Sequence, residues 1–153
     1  MREVAAGLTR DAAGDTDDEL DALVDELLGS KPRPIDWRRL TDEAAAQQWA
    51  DLHAWVRWLV KRYAIDPREI PPCWGAHGEL VEELSALHTA HQAAYDPAGA
   101  PAGPADWHTT LANTRSRLHL SVARTGCRAG QHRDSAIPGW VATAQTDGPA
   151  DWE

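Results

Sequence analysis

The sequence predicts an all-α fold, a small helical bundle that contains an antiparallel helical hairpin. Several segments carry apolar residues at the three- and four-residue spacing of an amphipathic helix, and no segment shows the alternation of a strand. Aliphatic residues are scarce and phenylalanine is absent, yet the 153 residues include eight tryptophans. Each tryptophan can bury roughly 150–250 Å². These observations indicate a small core in which tryptophan replaces part of the usual aliphatic packing.

The first 30 residues predict an acidic N-terminal arm. They carry nine acidic and two basic residues, whereas the remaining 123 carry 15 and 13. Thr16 and Glu19 have the spacing of a capping box, and Gly29 provides a stop for a short amphipathic helix. Its apolar stripe consists of Leu20, Leu23, Val24, Leu27 and Leu28. A helix this short is unstable alone in water, so it either docks on its own domain or binds a groove on a protein partner.

The first helix of the predicted bundle follows Thr41, whose hydroxyl group can cap its N-terminus. Its apolar stripe consists of Ala45, Trp49, Leu52, Val56, Leu59, Val60 and Tyr63. Three prolines within residues 67–72 prevent the helix from continuing. On a helical wheel Trp58 lies opposite this stripe and Trp55 lies at its edge. These two side chains either contact the arm or the tail, or form an exposed aromatic patch for a protein partner.

Two further helices are expected to form the hairpin. One is predicted over residues 78–95 and the other over residues 105–125, where Gly126 provides the C-terminal stop. The connection over residues 96–104 is short and rich in proline and glycine, so the two helices run antiparallel. Their apolar positions are Leu80, Val81, Leu84, Leu87, His88, His91 and Tyr95 in the first and Trp107, Leu111, Leu118 and Val122 in the second.

Each of the two cysteines is followed closely by a histidine. Cys73 and His77 form a C-x3-H pair, and Cys127 and His132 form a C-x4-H pair. The hairpin places the start of its first helix beside the end of its second, so all four side chains meet at one end. Two thiolates and two imidazoles suit Zn²⁺ better than harder cations, and four protein ligands make such a site structural. A disulfide between the cysteines, or four unconnected residues, are the alternatives.

Four other histidines are candidates for a second metal or catalytic cluster. They are His53, His88, His91 and His108. The alternative is that they are hydrogen-bonded residues at the boundary of the core. The sequence contains no Ser-His-Asp arrangement, no glycine-rich phosphate loop and no H-E-x-x-H motif. We therefore expect no catalytic residues.

A local excess of arginine supports a nucleic-acid alternative. The five residues concerned are Arg115, Arg117, Arg124, Arg128 and Arg133. The chain as a whole has a net charge of -9, which disfavours nonspecific binding to DNA by the whole molecule. DNA binding would therefore be confined to the third helix of the bundle and the loop after it.

Residues 71–95, 105–108 and 126–132 resemble a family of short uncharacterised actinobacterial proteins found on phages, plasmids and integrated mobile elements. The resemblance extends over about residues 36–140. It implies a cytoplasmic protein in a mobile-element setting and carries no known activity. The bias toward alanine and arginine and against lysine fits a GC-rich bacterial source.

We expect a non-enzymatic protein-binding or adaptor module with structural zinc. A DNA-associated accessory protein is the first alternative, and a metal-dependent enzyme is the second. We divide the chain into an acidic arm with a proline linker (1–34), a zinc-stapled helical domain (35–140) and a flexible tail (141–153). No run of 18 apolar residues and no apolar leader is present, so a cytoplasmic location without a membrane span is predicted.

Overall fold

The computed structural model of the chain describes Leu23, residues 31–128 and residues 130–135. The chain divides into two compact units, Met1–Arg33 and Pro34–Glu153. Leu23 is helical and 53% exposed. The rest of the predicted arm helix and the tail lie outside the described residues, and the fold below is that of the second unit.

The all-α prediction is confirmed. Helix α1 spans Asp42–Tyr63, α2 spans Gly78–Ala94 and α3 spans Gly103–Thr125. A short 3-10 turn, Trp74–Ala76, precedes α2, and the described residues contain no strand beyond one isolated bridge. Helix α3 begins two residues before the predicted start. Its second residue is a proline, which is tolerated there because the first turn has no backbone hydrogen bond to lose.

The residues predicted to begin α1 and to end α3 do so in the structure. The hydroxyl group of Thr41 accepts a hydrogen bond of 3.3 Å from the backbone N–H of Ala44, which caps α1. Ala64 ends the same helix with a left-handed backbone (φ 47°), and its N–H donates to the carbonyl of Val60. Gly126 ends α3 in the same conformation (φ 70°), which glycine adopts without strain.

Helices α2 and α3 form the predicted antiparallel hairpin. At the loop end, a Cβ atom on Gly103 would lie 2.5 Å from the carbonyl oxygen of Ala94, so only glycine permits this close approach. Halfway along, the guanidinium group of Arg117 forms two hydrogen bonds of 2.9 Å to the carboxylate of Glu83. At the open end Glu79 accepts hydrogen bonds from the third helix. The start of α2 therefore lies beside the end of α3.

The core combines aliphatic side chains from all three helices with two tryptophans. Trp107 and Trp74 are 1% and 4% exposed. The indole N–H of Trp107 donates to the hydroxyl group of Tyr63 at 2.9 Å, and that of Trp37 donates to Ser85 Oγ at 3.0 Å. Buried indoles need such partners because an unpaired N–H would lose its hydrogen bond to water. The remaining buried apolar residues are Leu52, Val56, Leu59, Ile65, Ile70, Leu80, Leu84, Leu87, Leu111, Leu118 and Val122.

Candidate metal centre

The four predicted ligands meet at the open end of the hairpin. Cys73 and His77 flank the 3-10 turn, and His77 occupies the position directly before the first residue of α2. Cys127 and His132 follow the glycine that ends α3. One ligand atom from each residue lies within 4.8 Å of all the others. Both cysteines are free thiols, so the disulfide alternative is not the arrangement found.

Three of the six separations between these atoms are close to the edges of a tetrahedron around a metal ion. With metal–sulfur distances of about 2.3 Å and metal–nitrogen distances of about 2.0–2.1 Å, a sulfur and a nitrogen ligand lie about 3.6 Å apart. The Nε2 atom of His77 lies 3.7 Å from Cys73 Sγ and 3.2 Å from Cys127 Sγ. The Nδ1 atom of His132 lies 3.8 Å from Cys127 Sγ. The four side chains can therefore hold one tetrahedral ion with little movement.

Each histidine has an outer partner that orients its ring. The Nδ1 atom of His77 lies 3.1 Å from Ser135 Oγ, and the Nε2 atom of His132 lies 3.0 Å from Asp134 Oδ1. With these nitrogens engaged, Nε2 of His77 and Nδ1 of His132 face the sulfur atoms of the two cysteines. Metal-binding histidines in proteins are oriented in this way by a carboxylate, carbonyl or water on the other nitrogen.

The loop after α3 turns back to bring its two ligands together. Arg128 and Gln131 form a small bridge through two backbone hydrogen bonds of 3.0 and 2.9 Å. Gly130 between them has φ 76°, a left-handed backbone that glycine supplies at no steric cost. The chain then passes Cys127, and the backbone N–H of Arg133 donates to its sulfur at 3.3 Å.

The two thiols have different proton affinities. The pKa of Cys127 is lowered to about 6, chiefly by the hydroxyl group of Thr125 and next by the Arg133 backbone N–H. Burial raises the pKa of Cys73. The hydrogen bond to Asp134 raises the pKa of His132. Cys127 is therefore the thiol that carries charge first, and thiolates are the form that binds a metal.

The four histidines that were candidates for a second cluster pack against aromatic rings and do not assemble into a site. His88 stacks on Trp55 with ring centroids 4.7 Å apart, and His91 lies 4.8 Å from Trp107. His53 lies 5.1 Å from Trp74, and His108 lies 6.3 Å from Tyr63. Within the described part of the chain, only the Cys2His2 group has the proximity that a metal ion requires.

The two tryptophans predicted to form a partner surface differ in position. Trp55 is half-buried between α2 and α3, 6.3 Å from Trp107, and its indole N–H donates to His91 Nδ1 at 3.4 Å. It therefore packs within the bundle, because α1 contacts the hairpin over a wider face than the predicted stripe. Trp58 is 42% exposed. Of the pair, only Trp58 presents the expected open aromatic surface.

Three of the five candidate nucleic-acid-binding arginines are engaged within the domain. Arg115, Arg117 and Arg124 bind the carboxylates of Glu69, Glu83 and Glu79, respectively. Arg128 and Arg133 instead line an open cleft of about 460 Å³ beside Cys127, together with Arg68 and His119. The positive charge of these three α3 arginines is therefore balanced by acidic residues of the same domain, a pairing that residue spacing alone does not reveal.

Sequence reasoning also missed the residues that support the ligands. Ser135, Asp134 and Thr125 contact His77, His132 and the backbone N–H of Cys127, respectively. The available signal was the run of polar residues directly after His132 and directly before Cys127. Such residues are common in loops, and only the folded loop shows which of them reach the site.

No helix among the described residues is long and apolar enough to cross a membrane. No family profile, curated protein or solved structure matches this chain.

Proposed function

We propose that this protein is a non-enzymatic protein-binding module whose α2–α3 hairpin is closed by a structural Zn²⁺. The observation that carries the proposal is the convergence of Cys73, His77, Cys127 and His132, with ligand atoms within 4.8 Å of one another. Thiolate and imidazole ligands in tetrahedral geometry favour zinc over magnesium or calcium.

The number of protein ligands supports a structural role for the ion. Catalytic zinc sites keep an open position for water, whereas two cysteines and two histidines complete the tetrahedron. His77 is 1% exposed, so one face of the site is closed by the core. The site therefore supplies stability, and no residue is assigned to catalysis.

A small core explains why the domain needs such an ion. Within the described residues, 13 apolar side chains are buried. A metal that binds only the folded chain contributes its binding free energy to folding. The ion would thus hold the start of α2 against the loop after α3, whose described residues bury no apolar side chain.

Protein binding is the role that the surface supports best. Trp58 is a large exposed aromatic side chain, a residue type that is enriched at protein interfaces. The ion pairs of Arg115, Arg117 and Arg124 reduce the positive charge available to phosphates. On the resemblance described above, we place the module in the cytoplasm of an actinobacterium that carries a mobile element.

The metal proposal is tested by loading the purified full chain with Zn²⁺ and measuring the metal content after gel filtration. We expect one zinc per chain. Replacement by Co²⁺ should give the strong visible absorption of tetrahedral cobalt together with thiolate-to-metal charge transfer. Weak absorption typical of six-coordinate cobalt would contradict a closed Cys2His2 site.

Matched variants identify the ligands. Cys73→Ser and His132→Ala should both abolish stoichiometric zinc binding. His119→Ala is the control, because His119 is an exposed histidine outside the four-residue group. If His119→Ala lost zinc to the same extent as His132→Ala, the ligand assignment would be wrong.

A further inference from the structure

An apolar groove lies along one side of α1, and its lining reaches Pro72 and Trp74, the two neighbours of Cys73 in the sequence. It has a volume of about 780 Å³ and is bounded on one side by Ala54, Val60 and Trp58 of the helix. The segment from Ile65 to Pro72, which follows the helix, forms the other side. The groove opens to solvent, so a ligand can enter it, and all the residues that line it belong to the second unit.

The rim of this groove carries positive charge only. Arg57 and Lys61 lie one helical turn apart on α1, and both border the groove. No aspartate or glutamate is among the described residues that line it. A ligand that fits must therefore offer apolar groups to the floor and anionic groups to the edge.

An aromatic side chain is positioned at the groove to serve as an anchor. Trp58 is 42% exposed, and its ring is held edge-on by Tyr63 with centroids 6.2 Å apart. His91 contacts the same ring at 5.0 Å. Because neighbouring rings already restrict the indole, little side-chain entropy remains to be lost when a partner covers it.

We propose that this groove binds an acidic amphipathic α-helix of a partner protein. A helix presents its apolar stripe on one face and its carboxylates along the flanks of that stripe, which matches an apolar floor with cationic edges. Leucine-type side chains would fill the space beside Trp58, and flanking carboxylates would pair with Arg57 and Lys61. This inference rests on the proposed protein-binding function and names the partner chemistry.

The test uses a labelled synthetic peptide with the sequence of residues 15–30, because this sequence combines a leucine stripe with flanking carboxylates. Its binding to the zinc-loaded full chain is measured by fluorescence anisotropy. A second protein sample carries three substitutions that disrupt the apolar stripe within the chain's own residues 15–30. These are Leu20→Asp, Leu23→Asp and Leu27→Asp. In this sample the peptide does not compete with the same sequence in the protein. We expect saturable binding to both protein samples, weakened by salt.

Substitutions in the groove test whether the peptide binds there. Ala54→Glu should reduce the affinity at least about tenfold, because a carboxylate in apolar contact must lose water and also meets the acidic peptide. Ala112→Glu, at an exposed alanine on α3, is the matched control. Arg57→Glu/Lys61→Glu should weaken binding, whereas Arg38→Glu, at an exposed arginine outside the groove, should not. A peptide of the same composition in scrambled order should not bind.

Two results would overturn the inference. One is the absence of peptide binding to the unmodified full chain, and the other is equal affinity for Ala54→Glu and Ala112→Glu. The zinc content of every sample is measured in parallel. If the chain holds one zinc but does not bind the peptide, the groove assignment alone is wrong. If the chain holds no zinc, the metal site is wrong instead.

Discussion

The two ends of the α2–α3 hairpin hold the same residue type in opposite environments. At the open end, His77 and His132 face two thiols and are backed by a hydroxyl group and a carboxylate. Toward the loop end, His88 stacks on Trp55 and His91 meets Trp107 edge-on instead. The neighbours of an imidazole, and not its place on an apolar stripe, decide whether it is a candidate ligand or a packing element.

The pKa values of the histidine rings also differ between the two ends of the hairpin. Burial lowers the pKa of His88 and His91, so these rings stay neutral and pack as flat, weakly polar groups. The hydrogen bond that His132 donates to Asp134 raises the pKa of His132 and holds one of its nitrogens. One end of the hairpin is thus stabilised by aromatic packing, and we infer that the other is stabilised by a metal.

Removing the metal from the open end should lower the stability of the chain more than any change at the loop end. Apparent zinc-binding free energies reach about 10 kcal/mol or more in small zinc domains. Chelation of the full chain, or Cys127→Ser, should therefore lower the free energy of unfolding by several kcal/mol. Chemical denaturation with and without chelator measures the change, and the Cys127→Ser variant should show no further response to chelator. An unchanged midpoint on chelation would contradict a structural metal.

Shortening the buried side chain of Trp107, at the loop end, should have the next largest effect on stability. Trp107→Ala removes a buried ring and its hydrogen bond to Tyr63, which should cost about 3–5 kcal/mol. The zinc stoichiometry should remain one per chain, because the two ends are stabilised separately. If Trp107→Ala lost zinc at temperatures where the chain is still folded, the division between the ends would not hold.

The outer partners of the histidines should tune metal affinity. Asp134→Ala and Ser135→Ala each remove a group that orients a ligand ring, and such changes lower metal affinity about 10–100-fold. Competition with a chromophoric chelator measures the affinity. Asp106→Ala, on the first turn of α3, is the control for loss of one exposed carboxylate and should leave the affinity unchanged.

The smallest expected effect is a pH dependence that originates at the loop end. Above pH 6.5, the ordinary pKa of histidine, His88 and His91 are neutral in both the folded and the unfolded chain. Below it the unfolded chain binds more protons, so stability falls as the pH falls toward the lowered folded pKa values. The midpoints of the two imidazole NMR signals should lie below 6.5. Midpoints at or above 6.5 would contradict burial as the controlling influence.

Much of the architecture could be predicted because its signals are local. Helical periodicity, the capping hydroxyl of Thr41 and the stop at Gly126 each act over a few residues, and all three agree with the structure. The short loop then requires an antiparallel hairpin. That topology alone places Cys73 beside Cys127, so the ligand group followed from residue spacing and helix order.

The tertiary structure decided which faces of the helices meet. A stripe read from one helix does not reveal how far that helix is rotated against its neighbours, and Trp55 therefore lies among packed rings where an open surface was considered. The pairing of Arg115 with Glu69 joins residues 46 positions apart in the chain. Contacts at such separations depend on the relative positions of packed elements, which residue spacing does not encode.

The residue types, their spacing and the order of the helices therefore determined the fold class and the four candidate ligands. Only the folded chain decided that Nε2 of His77 and Nδ1 of His132 face the sulfurs, because that choice depends on Ser135 and Asp134. The physical reason is that helix formation and chain reversal are governed by neighbours in sequence. Ring orientation and charge pairing are governed by neighbours in space.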